Sequence, residues 1–143
     1  MTDLIARKLK MLGMLLFLIG LITGLLIMNL KNPRMGLSAH LEGVMNGTFL
    51  VIAGFVWAEL KLSATIKRLL LWSLIYGTFA NWLFTLLSAV FGTSEMTPVI
   101  GEGYLGTEIQ ETIVSGGLVT IAITMIFSLV VLVYGLRGRL SQD

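Results

Sequence analysis

Charge is nearly absent from four long stretches of this chain and collects in the segments between them. Residues 11–29, 40–60, 69–91 and 109–134 are apolar runs. Each can cross about 30 Å of hydrocarbon, which takes about 20 helical residues. The first run holds no charge, and the second holds only Glu42 and Glu59, near its ends. None alternates with a period of two, as a barrel strand must. A helix satisfies its own backbone polar groups in lipid, so four spanning helices are expected. The pattern predicts an all-α integral membrane four-helix bundle, one domain over residues 1–143. The first run is too long for a secretory signal, and Met28-Asn29-Leu30 offers no small-residue cleavage site. It is read as a permanent span.

Composition agrees. Of 143 residues, 56% are hydrophobic and 13% charged, and the mean hydropathy is +0.92. Soluble domains carry about 25% charge, and disordered chains need low hydrophobicity. Both classes are excluded. The absence of cysteine removes disulfides, thiolate metal sites, iron–sulfur clusters and covalent haem attachment.

The placement of charge predicts the topology. Arg7, Lys8, Lys10, Lys61, Lys67, Arg68, Arg137 and Arg139 fall on one side, eight of the ten basic residues. Lys31 and Arg34 fall on the other. The positive-inside rule puts both termini in the cytoplasm of a multi-pass inner-membrane protein. This use of the basic residues leaves nothing to suggest a nucleic-acid partner. Trp57, Trp72 and Tyr134 stand near span ends as interfacial anchors do, whereas Trp82 lies deeper and is expected between helices. The stretch 92–107, GTSEMTPVIGEGYLGT, is a long ordered loop or a lid on the outer side. Its GxG lacks the strand–helix setting of a nucleotide loop.

Polar residues inside spans are costly and therefore informative. His40, Gly43, Val44, Gly47, Val51 and Gly54 share one face of the second span, while Glu42 and Asn46 share a neighbouring face. The glycines admit two readings. Gly43 and Gly47 form a GxxxG, which brings helices together. Alternatively, they leave a flat strip for a planar ligand below His40, and imidazole is a common axial ligand of haem iron. A lone histidine at a span end is more often a simple hydrogen-bonding group. Gly77, Asn81, Thr85 and Ser88 line the third span, with Tyr76 a turn above Asn81. Gly117, Thr120, Thr124 and Ser128 line the fourth. These stripes are read as helix–helix glue, except that a buried carboxamide such as Asn81 must satisfy several hydrogen bonds. Glu111 opens the fourth span, where the helix dipole favours a carboxylate. No catalytic triad, HExxH or EF-hand pattern occurs.

The segment AHLEGVMNG, with Ala-His and then Asn-Gly six residues after the histidine, resembles the styrene oxide isomerases. These are small four-span membrane enzymes that bind haem b. The resemblance implies His40 as the haem and metal ligand and Asn46 in the substrate pocket, with Asn81 a further candidate. The run YGTFANWLFTLLSAVFGTSEMTPVIGEGYLGTEIQETIV and the closing GLRG are similar to the hydroxylaminobenzene mutases. Asn81-Trp82, Thr97-Pro98, Gly101, Gly103, Gly106 and Gln110-Glu111 carry that likeness. Where the styrene oxide isomerases have a tyrosine in span three, this chain has Phe84 or Thr85, which favours the mutases. The resemblance further implies a homotrimer and a small aromatic substrate that arrives from the lipid bilayer. Haem b would lie against Gly43 and Gly47, with Arg34 and Lys31 candidates to pair with its propionates.

Three classes follow. The first is a haem-dependent isomerase that rearranges an arylhydroxylamine to an aminophenol or, alternatively, isomerises an epoxide. The second is a small multidrug or proton-coupled transporter. It needs a carboxylate deep in the bundle, and Glu42 is expected near water. The third is a membrane anchor or cytochrome subunit, usually with two axial ligands. A single histidine suits an open iron position better, so the isomerase leads.

Overall fold

A computed structural model describes residues 2–137. It contains four long helices: α1 (Thr2–Leu26), α2 (Pro33–Val56), α3 (Ala64–Phe91) and α4 (Glu108–Leu136). Short 3-10 turns, Ile27–Asn29 and Trp57–Glu59, follow α1 and α2. All four are long and apolar enough to cross a membrane, and no strand occurs among the described residues. Gly138 and Arg139, invoked above for the closing motif and the charge count, lie outside the described residues.

The helix ends have local causes. Asn32 caps α2 by accepting from Met35 N at 3.2 Å, and Pro33 fills the first position, where a missing N–H costs nothing. This start corrects the boundary drawn from apolarity: α2 begins seven residues before His40. His40 therefore lies about 10 Å inside the helix and Glu42 about 14 Å inside, at 1.5 Å per residue. Both stand about two turns or more along α2, not in its first turn. Ser63 caps α3, and Gly92, at φ 70°, ends it in the left-handed conformation.

Each helix packs on its neighbours in sequence, so the bundle is open: α4 leans on α3, and the main α1 contact is with α2. The α1–α2 seam is built from glycines. A Cβ on Gly20 would stand 2.6 Å from Val44 N and 2.7 Å from the Gly43 carbonyl carbon. Farther along the seam Gly13 meets Gly47, and Gly54 meets Ala6 and Lys10. Such close approach is how helices associate where lipid supplies no hydrophobic drive. The α3–α4 seam uses the polar stripes, as expected: Tyr76 Oη and Thr120 Oγ1 are 2.7 Å apart, and Ser128 Oγ donates to Ser73 Oγ at 2.8 Å.

A cluster of Leu9, Leu50, Ala53, Trp57, Leu60, Leu70, Leu74 and Leu132 closes the end that carries the N-terminus. Trp57 is 1% exposed and belongs to this core, which corrects its reading as an interfacial anchor. Trp72 and Tyr134, at 64% and 68% exposure, are free to be anchors. Trp82 links helices as expected, its Nε1 donating to Thr23 Oγ1 of α1 at 3.1 Å.

Candidate active site

Two polar groupings lie on different faces of α2. On the α1 side, His40 Nδ1 is 2.8 Å from the Gly20 carbonyl oxygen. A carbonyl only accepts, so Nδ1 carries a proton, and in the neutral ring the lone pair is on Nε2. Imidazole ligates metals through such a nitrogen, and a backbone carbonyl on the other nitrogen is a usual way of fixing the tautomer. Gly24 admits the ring, since a Cβ there would stand 2.7 Å from Nδ1. Among the described residues no group of three or more His, Asp or Glu side chains could hold a metal ion. His40 is one protein ligand without companions.

The glycine strip below His40 has another use. A Cβ on Gly43 would stand 2.5 Å from Gly20 Cα, and one on Gly47 would stand 2.5 Å from Phe17 N. The strip is filled by the backbone of α1. No planar group fits between them, so the expectation that Gly43 and Gly47 bind the cofactor gives way to helix packing.

On the α3 side, Glu42 is the centre of the second grouping. Its Oε2 accepts from Asn46 Nδ2 at 2.8 Å and from Asn81 Nδ2 at 2.6 Å. The Glu42–Asn46 bond spans one helical turn, and the Asn81 bond ties α2 to α3. Asn46 is 6% exposed; Glu42 and Asn81 are half-buried. Asn46 and Asn81, selected separately from the sequence, are thus brought together by a carboxylate that sequence reasoning had set near water. The signal was the Glu42–Asn46 spacing of four, which puts both on one face. His40 is two residues, or about 200° of helix, from Glu42 and shares none of its hydrogen bonds.

Arg34 and Lys31 are engaged with the loop 92–107. Lys31 Nζ donates to Phe91 O at 2.8 Å and to Leu105 O at 3.0 Å. Arg34 donates to Glu102 O, and its guanidinium lies 5.7 Å from the centre of the Tyr104 ring. Asn32 Nδ2 donates to Ile100 O at 3.2 Å. Glu111 pins the loop from within. Its carboxylate accepts from the backbone N–H groups of Ser94 and Gly106 at 3.0 Å each, and of Glu95 at 3.0 Å. The loop is therefore an ordered cover, tied to α2 and α4. Each hydrogen bond to a charged group contributes about 1.5–3 kcal/mol. Glu111→Ala is expected to free the loop, seen as faster hydrogen exchange at Ser94, Glu95 and Gly106 with α1–α3 amides unchanged. Unaltered exchange at those three amides would show that the loop is held by other contacts.

The styrene oxide isomerase family model matches residues 5–137. The chain belongs to the styrene oxide isomerase family. It is 41% identical over 135 residues to hydroxylaminobenzene mutase HabB of Ectopseudomonas oleovorans, covering 94% of this chain and 82% of that one. It is 39% identical over 125 residues to hydroxylaminobenzene mutase HabA of the same organism, covering 87% and 93%. No solved structure matches. A member of this family with such relatives is an isomerase of the mutase kind. Membership and these relatives assign the chain to the enzymes and not to the transporters. Its four apolar helices fit a multi-pass membrane protein.

Proposed function

We propose that the chain rearranges an arylhydroxylamine, hydroxylaminobenzene, to 2-aminophenol. The likeness to the two mutases over most of their length carries this reading. The conversion is redox-neutral: the N–O bond breaks, a C–O bond forms at the ortho carbon, and the ortho hydrogen leaves as a proton while nitrogen gains one. No cosubstrate is consumed.

The donor set of the α1 side suits haem b. A macrocycle brings four ligands of its own, so one histidine with a free Nε2 suffices. His40 would hold the iron, and the N–H groups that Arg34 does not spend on Glu102 remain to pair with a propionate. Gly43 and Gly47 take no part. When bound, haem b would supply a Lewis-acidic iron able to polarise the N–OH oxygen. The chain's own work is to position the substrate: Asn46 would orient the departing oxygen by hydrogen bonding, and Asn81 would assist. Because they lie on the α3 side of α2 and His40 on the α1 side, the iron they face would be one held by a neighbouring copy. An apolar aromatic substrate would reach these groups from the bilayer. The reading extends to an inner-membrane location with both termini in the cytoplasm, following the positive-inside bias. It also extends to a homotrimer, in which neighbouring copies would cover faces that the open helix arrangement leaves bare.

Membranes containing the protein, given hydroxylaminobenzene and no added cofactor, are expected to accumulate 2-aminophenol. Turnover of styrene oxide without aminophenol would move the assignment to epoxide isomerisation. Turnover of neither would overturn it.

A further inference from the structure

Glu42 does more than join two helices. A carboxylate oxygen accepts hydrogen bonds, and an asparagine carboxamide has one accepting and one donating end. Because Oε2 of Glu42 receives both Asn46 Nδ2 and Asn81 Nδ2, the donating ends of both carboxamides are turned toward it. Three acceptor oxygens remain, Oδ1 of Asn46, Oδ1 of Asn81 and Oε1 of Glu42, against one further N–H on each carboxamide, so acceptors outnumber donors. None of them takes part in a hydrogen bond among the described residues. None is sealed off either, since the one fully buried side-chain polar atom without a partner among those residues is Ser115 Oγ. The grouping lies about 14 Å along α2 from its start, and no side chain among the described residues pairs with these oxygens.

We infer that Glu42 sets the substrate class of this site by holding both asparagines with their carbonyls outward, making an acceptor face that takes aromatic ligands bearing O–H or N–H donors. Resting on the mutase reading, this deepens it. An arylhydroxylamine has an O–H and an N–H to give. An epoxide has an acceptor oxygen alone, and against such a face it would leave polar groups unpaired. A pocket built to pair with a donor rejects the analogue that lacks it far more strongly than an apolar pocket rejects a change of size. The same face would turn the N–OH group so that its donors meet the asparagines.

The test compares phenol with anisole, which differ by removal of the O–H donor. Their binding to the full-length, haem-loaded protein in detergent is measured by titration calorimetry, so the result does not depend on turnover. The wild-type protein is expected to prefer phenol. In Glu42→Gln the amide still accepts from both asparagines but puts an NH2 where Oε1 stood. The phenol preference should fall about tenfold, the scale of one lost hydrogen bond to a charged group. Glu42→Asp, which restores the carboxylate, should recover part of the preference. Both variants weaken the tie between α2 and α3, so the melting temperature should fall modestly. Haem absorbance and anisole affinity should be unchanged, a selective loss that a purely structural role would not give. Equal affinity of the wild-type protein for phenol and anisole would overturn the inference, even if no variant folds. So would an unchanged preference in Glu42→Gln. If hydroxylaminobenzene is not converted but the phenol preference and its loss are seen, the mutase reading fails and the acceptor face stands.

Discussion

With His40 as the proposed haem ligand, His40→Ala is expected to lose the haem and abolish isomerisation while the four helices stay packed. The substitution removes one hydrogen bond between α1 and α2, from Nδ1 to Gly20 O, a net loss of about 0.5–1.5 kcal/mol. The seam itself persists, because it is made by backbone contacts at Gly13, Gly20, Gly43 and Gly47. The cost to haem is of a different order, since no other imidazole exists in the chain and cysteine is absent. Visible absorbance should lose its Soret band, and circular dichroism should keep its helical signal. His40→Gln gives a finer comparison: it retains polarity and much of the volume but ligates iron poorly. If His40→Ala kept both the band and the activity, the histidine would be a link between helices, and the haem assignment would fall with it. If the band stayed and activity vanished, His40 would belong to the substrate pocket.

The four spans were legible because their cause is local. Twenty apolar residues in a row have few fates, and the structure places a helix on each run. The helix starts were less legible where capping rather than apolarity decides them. Asn32-Pro33 carries the start signal of α2, but it lies outside the apolar run that defined the span. That difference of two helical turns put Glu42 at the start of its helix when it lies in the third turn. Its bond to Asn81 joins residues 39 apart in the chain, and no periodicity on either helix announces such a partner. The glycine strip was legible as a pattern and ambiguous as a cause. Flat strips serve planar ligands and neighbouring helices equally, and α2 alone cannot say which. The deciding observation was on α1, whose Gly13, Gly20 and Gly24 present a matching face. Trp57 was misplaced for a related reason: nearness to a span end predicts an anchor only when no core has formed there, and here Leu9, Leu60 and Leu70 form one.

Gly43→Ala and Gly47→Ala are expected to be strongly destabilising single-methyl changes. A methyl at Gly43 would meet Gly20 Cα at 2.5 Å, and one at Gly47 would meet Phe17 N at 2.5 Å and Gly13 O at 2.7 Å. These are backbone atoms, so no rotamer change relieves the contact, and α1 must move away from α2. Overpacking of a tight interior typically costs about 1–3 kcal/mol, and rigid backbone puts these two sites at the upper end. Moving α1 also draws Gly20 O away from His40 Nδ1, so activity should fall further than stability alone would require. Gly116→Ala is the control: nothing lies within 4 Å of a Cβ there, and alanine favours the helix by about 0.8–1.0 kcal/mol over glycine. Thermal melting in detergent should therefore order the variants with Gly116→Ala at or above wild type and the two seam variants well below it. Equal melting temperatures for all three would mean that the α1–α2 seam is loose. Loss of haem from Gly43→Ala without any loss of stability would return the strip to the ligand and take it from the helix.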